Sequence, residues 1–171
     1  STVSTTQVVT VNVNDVNDAP VFTSSATLSA AENQTSIGTL AASDEDGNSV
    51  SFTISGSELS ITSAGVLTFA SAPDYETKSS YTATVTANDG TVSITQDLTV
   101  NIADINEAPS FSSSASFSAE ENQTAIGSVS VSDQEGESIT YSLSGTDAGS
   151  LAISSSGVVS FSSAPNYESK N

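Results

Sequence analysis

The sequence predicts an all-β fold built from tandem Greek-key, immunoglobulin-like sandwiches. Three observations carry that prediction. Apolar and polar residues alternate with period two over most of the chain, the pattern of strands with one buried face. Glycine and acidic clusters break these runs at short intervals, as at Asp46–Gly47, Ala64–Gly65 and Asp89–Gly90. The whole pattern then recurs. Ala19 to Gly56 realigns on Ala108 to Gly145, 89 positions on, with about half of the residues identical.

The elements follow in order along the chain. At the N-terminus Val3, Thr5, Val9, Val11 and Val13 share one face of a predicted strand. Phe52 and Ile54, Leu59 and Ile61, and Leu67 and Phe69 mark three short strands. Tyr81, Ala83, Val85 and Ala87 point inward, whereas Thr82, Thr84 and Thr86 form an outward ladder, expected to be a solvated strand face. Val92, Ile94, Leu98, Val100 and Ile102 define the last strand. About seven strands per complete repeat fit a Greek-key sandwich.

The repeat also sets the expected boundaries. Thr2 to Asp18 matches Thr91 to Glu107, so residues 1–18 read as the last strand and linker of a preceding repeat. Residues 19–107 form a complete repeat, and residues 108–171 a truncated one that stops before the counterpart of Tyr81 to Asn101. An insertion near Asp147 to Gly149 shifts the later register. Ala72–Pro73–Asp74–Tyr75–Glu76 thus recurs as Ala164–Pro165–Asn166–Tyr167–Glu168.

Composition removes whole classes of function. The 171 residues include 20 Asp and Glu against two Lys, for a formal net charge of -18, and no Cys, His, Met or Trp. Thiol and imidazole chemistry is absent: no disulfide framework, no zinc or haem ligation of the usual kind, no Ser/His/Asp or Cys/His triad. Two lysines cannot neutralise a phosphate backbone, so nucleic acid is not a partner. No run of about 20 apolar residues is present, so direct membrane insertion is not expected either. Oxygen donors remain, and they suit hard cations.

The acids are grouped. Fourteen of the 20 fall in short motifs at predicted strand ends: Asp15 and Asp18, Glu32, Asp44 and Asp46, Asp74 and Glu76, Asp89, Asp104 and Glu107, Glu121, Asp133 and Glu135, and Glu168. Two carboxylates ~4 Å apart repel by about 1 kcal/mol in water and ~4 kcal/mol at an effective dielectric of 20. Clusters of this size at the poles of a sandwich call for a cation. Mixed carboxylates, Asn amides and backbone carbonyls on short loops match Ca2+ rather than the strict octahedron of magnesium.

These motifs resemble the cadherin repeat, and more closely the cadherin-like repeats of large bacterial surface adhesins. The family's Asp-x-Asn-Asp-Asn-Ala-Pro linker is similar to Asp15–Val16–Asn17–Asp18–Ala19–Pro20 and to Asp104–Ile105–Asn106–Glu107–Ala108–Pro109. Its first-strand glutamate matches Glu32 and Glu121. Its Asp-x-Asp motif matches Asp44–Glu45–Asp46 and Asp133–Gln134–Glu135, and its late Ala-x-Asp element Ala87–Asn88–Asp89. Its Leu-Asp-Arg-Glu motif resembles Pro73–Asp74–Tyr75–Glu76 and, more weakly, Pro165–Asn166–Tyr167–Glu168.

The resemblance implies calcium bound around each linker. Around Asp104, Ile105, Asn106 and Glu107 the ligands would be Glu32, Asp74 and Glu76 from one repeat, and Asp133 and Glu135 from the next. Around Asp15, Asn17 and Asp18 only the downstream set Asp44, Asp46 and Asp89 is present. Glu121, Asn166 and Glu168 would serve a third linker. Ala19 and Ala108 replace the second linker Asn, while Glu107, Glu135 and Asn166 replace aspartates.

The expected function is therefore a calcium-rigidified, extracellular spacer or adhesion module within a larger cell-surface adhesin, with neighbouring repeats of the same chain as partners. Head-to-tail self-association, the tail of one copy completing the truncated repeat of another, is a further expectation. The alternative is a ligand-binding module for a glycan, a receptor or a like repeat. Aromatic residues are only 6%, which leaves no sugar-stacking platform, and the absence of Trp removes the strand swap of vertebrate cadherins. Enzymatic activity is not expected, since the carboxylate pairs lie at charged poles rather than in an apolar cleft.

Overall fold

The computed structural model describes residues 1–169 and divides into two units, Ser1–Asp104 and Ile105–Asn171. Helices are absent among the described residues apart from one 3-10 turn. None is long and apolar enough to cross a membrane.

The first unit contains nine strand segments. They are β1 (Val21–Phe22), β2 (Thr27–Ala31), β3 (Ser36–Thr39), β4 (Ala42–Ser43), β5 (Ser51–Ile54), β6 (Leu59–Ile61), β7 (Val66–Phe69), β8 (Ser80–Asn88) and β9 (Ser93–Ala103). One sheet runs β2-β9-β8-β5, the other β3-β7-β6, with β1 paired to β4. All pairs are antiparallel except β2 with β9, where Ala31 lies opposite Ala103. Seven strands were expected. Two are interrupted because Ser24 Oγ accepts a hydrogen bond from Ala41 N–H at 3.1 Å, replacing a ladder bond beside β1 and β4.

Both sheets bury their inner faces together. Leu40, Leu67, Val85, Ala87, Leu98 and Val100 are all but sealed from solvent, and Phe52, Leu59 and Phe69 pack with them. Phe69 meets Tyr81 edge-on, with centroids 5.1 Å apart. The Thr ladder faces outward as expected: Thr82 lies opposite Thr99, Thr84 opposite Asp97 and Thr86 opposite Thr95. Residues 1–20 carry no strand, and Val3, Val9, Val11 and Val13 are exposed. The strand expected there is not formed. A strand without a ladder partner has nothing to bury its apolar face against.

The second unit repeats half of this plan. It contains β10 (Ser110–Phe111), β11 (Ala125–Ser128), β12 (Val131–Ser132), β13 (Leu151–Ile153) and β14 (Val158–Phe161). The sheet β11-β14-β13 corresponds to β3-β7-β6, and β10-β12 to β1-β4. Counterparts of β2 and β5, residues 116–120 and 140–143, are not strands. In the first unit β2 pairs only with β9, and β5 only with β8. Neither β8 nor β9 has a counterpart among the described residues, so these two segments have no ladder to join.

Candidate metal centre

At the C-terminal end of the first unit, sheet register decides which carboxylates meet. Because Ala31 faces Ala103, Glu32 and Asp104 leave the sheet side by side, and Glu32 N–H donates to the Ala103 carbonyl at 3.2 Å. Glu32 is 1% exposed, the buried charged residue of this unit. Its Oε2 accepts the Tyr75 N–H at 2.8 Å, which fixes the loop that carries Glu76. Glu32, Glu76 and Asp104 each bring one carboxylate oxygen within 4.8 Å of the other two.

Asp74, expected among these ligands, lies outside this trio. Its Oδ1 accepts Thr77 N–H at 3.0 Å and its carbonyl accepts Lys78 N–H at 2.9 Å, so it caps the turn that follows. The Lys78 ammonium does not neutralise the trio. It bonds both Glu58 oxygens, at 2.6 and 2.7 Å, and lies 4.3 Å from the Tyr81 ring centroid. Both partners are well exposed, so Lys78→Ala is expected to lower stability by less than about 1 kcal/mol in chemical denaturation.

The other pole of the first unit is a hydrogen-bonded loop cluster. Asn17 Nδ2 donates to Asp89 Oδ2 at 2.9 Å, and Asn48 Nδ2 donates to Asn17 Oδ1 at 3.1 Å. Asp18 N–H donates to Asp46 Oδ2 at 2.7 Å. Asp44 Oδ1 accepts the N–H groups of Asp46 and Asn48, both at 3.1 Å, whereas its Oδ2 is buried without a hydrogen-bond donor. The Asn17 amide, with the Val92 and Thr91 N–H groups, holds the Asp89 carboxyl below the ordinary carboxylate range. Asp15 lies exposed on the tail. Asn48 was not foreseen. Its signal was the spacing Asp44-x-Asp46-x-Asn48, which aims oxygen donors from alternate residues of one loop into the same space.

The second unit repeats these arrangements with its own residues. Glu137 N–H donates to Asp133 Oδ1 at 3.0 Å, as Asn48 does to Asp44. Both Glu135 carboxylate oxygens are buried without a hydrogen-bond donor, and the adjacent Glu107 carboxyl holds Glu135 below the usual range, against the opposing effect of desolvation. Two carboxylates held this close repel, and a cation between them would relieve the repulsion. Asn106 Nδ2 donates to the Glu107 carbonyl at 3.1 Å, as Asn17 does to that of Asp18 at 2.8 Å. Ile105 is exposed. Glu121 Oε2 accepts Tyr167 N–H at 3.0 Å, and Asn166 Oδ1 accepts Glu168 N–H at 2.8 Å. Glu121 and Glu168 are both exposed.

The donor set fits a hard cation. Carboxylate and amide oxygens line these loops, Asp44 Oδ2 is buried among them without a hydrogen-bond donor, and Glu32 is enclosed with two further carboxylates beside it.

Comparison with known proteins gives a consistent picture. The model for the bacterial Ig domain family matches residues 17–102. No curated protein matches the chain. Among solved structures, human protocadherin-24 EC1-2 superposes with a TM-score of 0.61 at 22% identity, covering 91% of this chain and 82% of that one. Its second crystal form gives 0.67 at 23% identity, over 88% and 80% of the two chains. Drosophila N-cadherin EC1-4 gives 0.57 at 20% identity, over 91% of this chain and 43% of that one. At these identities the likeness is one of fold.

Proposed function

Since the chain belongs to the bacterial Ig domain family and carries a cadherin-like fold, we propose that it is a calcium-stiffened extracellular repeat, a spacer within a larger cell-surface adhesin. The observation that carries this reading is the buried Glu32 carboxylate, with Glu76 and Asp104 beside it, where the chain leaves β9 for the next linker. Glu32, Glu76 and Asp104 would hold one calcium ion. Asn17, Asp18, Asp44, Asp46 and Asp89 would form the second set, and Asn106, Glu107, Asp133 and Glu135 are the second unit's counterparts of the first four. Bound calcium supplies positive charge and shared oxygen ligation, nothing more.

The role of the chain's own residues is to preorganise oxygens on short loops and to tie the linker to the pole. Without a cation, like charges push Asp104 away from Glu32 and Glu76 and the linker loosens. No catalytic step is assigned to this arrangement. Extracellular modules bind calcium with dissociation constants of about 10⁻⁴–10⁻³ M, so the repeat would be slack in cytosol and firm outside.

The test compares the protein in chelator and in CaCl2 at about 10 mM. Calcium is expected to raise the melting temperature by about 5 °C or more. It is also expected to slow cleavage after Asp104 and Glu107 by a protease specific for acidic residues. An unchanged melting temperature together with unchanged cleavage would end the calcium reading.

A further inference from the structure

Among the described residues only two besides glycine take a left-handed backbone, Asn33 at φ 62° and Asn122 at φ 59°. They occupy the same repeat position, directly after Glu32 and Glu121. This conformation crowds the Cβ of any L-residue; asparagine tolerates it better than most, and glycine adopts it freely. A backbone outlier that recurs at one position of both units asks for a reason.

Both asparagines make the same contact. Asn33 N–H donates to the Pro73 carbonyl at 2.9 Å, and Asn122 N–H to the Pro165 carbonyl at 2.9 Å. Two residues after each proline, the bond returns. Tyr75 N–H reaches Glu32 Oε2 at 2.8 Å, and Tyr167 N–H reaches Glu121 Oε2 at 3.0 Å. Each pair of bonds is a latch between the end of one strand and the loop that carries Glu76 or Glu168. In the second unit the latch closes although residues 116–120 form no strand and Glu121 is exposed. The latch is thus a local device, independent of the ladder between β2 and β9.

We propose that Asn33 is a positioning residue for the cation site, acting through its backbone rather than as a ligand. Its left-handed turn aims the Asn33 N–H at Pro73 and presents Glu32 to Tyr75. Glu76 follows Tyr75 directly, so its approach to Glu32 and Asp104 depends on this closure. An extended backbone at position 33 would carry the N–H away from Pro73 and leave the Glu76 loop untethered. This inference rests on the calcium reading above.

Calcium titration calorimetry on the full chain tests it, with Asn33→Ala and Asn33→Gly beside the natural sequence. Asn33→Ala is expected to weaken calcium binding about fivefold to tenfold, because alanine disfavours the left-handed turn. Asn33→Gly is expected to stay within about twofold. Tyr75 amide exchange in chelator is expected to quicken in Asn33→Ala and to stay slow in Asn33→Gly. Equal calcium affinity in Asn33→Ala and the natural sequence would overturn the proposal. An equal loss in both variants would overturn it too, since the role would then belong to the carboxamide. Should Asn33→Ala fail to fold, Asn33→Gly alone decides, because it removes the carboxamide and keeps the turn. No calcium response in the natural sequence is a separate result: it ends the calcium reading first, and this one with it.

Discussion

Glu32→Gln is expected to abolish most of the calcium-induced rise in melting temperature while leaving stability in chelator unchanged or higher. The two halves of this result have one cause. Glutamine keeps an oxygen able to accept the Tyr75 N–H, so the latch onto the loop survives. It removes the buried member of three carboxylates whose oxygens lie within 4.8 Å of one another. At that separation each pair repels by about 1 kcal/mol in water and ~3 kcal/mol at an effective dielectric of 20. Without a cation, neutralising Glu32 relieves this repulsion. With a cation, it deletes the best enclosed ligand.

Glu32→Ala separates the effects further. It leaves the Tyr75 N–H without its acceptor, so it is expected to lose about 1–3 kcal/mol in chelator as well as the calcium response. Thermal melts of both variants, with and without calcium, make the measurement. A Glu32→Gln protein that still gains the full calcium increment would show that Glu32 serves the fold alone.

Long alternating strands were legible in the sequence because their pattern and their partners lie in one repeat. β8 and β9 follow the expected alternation from Tyr81 to Ala87 and from Ile94 to Ile102. The counterparts of β2 and β5 show the limit of such reading. Residues 116–120 and 140–143 carry nearly the same pattern as their relatives, yet no strand forms, since a ladder needs a partner that pattern cannot supply. The site shows the same division. Glu32 and Asp104 were legible from their repeat positions, and register set them side by side. Asp74 and Glu76, two acids separated by one residue, are set apart by the turn: Asp74 Oδ1 accepts the Thr77 N–H, and Glu76 lies with Glu32 and Asp104. Backbone angles are the least visible of all. The one signal for a left-handed residue was the asparagine itself, repeated after Glu32 and Glu121, and the alternating pattern does not read it.

Gly65 was legible only as a turn residue, but its substitution is the second large effect expected. It lies buried at φ 87° in the turn between β6 and β7, and its carbonyl accepts the Leu40 N–H at 2.9 Å. A Cβ here would overlap the Leu40 carbonyl oxygen and press on the Phe52 ring at 3.3 Å. The overlapping atom belongs to the backbone, next to a hydrogen bond that fixes it, so no rotamer change gives relief. Gly65→Ala is therefore expected to lower stability by about 3 kcal/mol or more, and the melting temperature in chelator by more than about 10 °C. Gly56→Ala is the matched comparison. It has nearly the same backbone angle, φ 83°, but nothing within 4 Å of the added carbon. Its loss should stay at about 1–2 kcal/mol, the strain of the left-handed turn alone. Equal losses would assign the whole effect to backbone strain and refute the close approach to Leu40. Gly157 in the second unit meets the Val129 carbonyl in the same way, with Tyr141 in place of Phe52. Each repeat thus brings the backbone just after one strand, at Leu40 or Val129, against the turn glycine, and only glycine fits there.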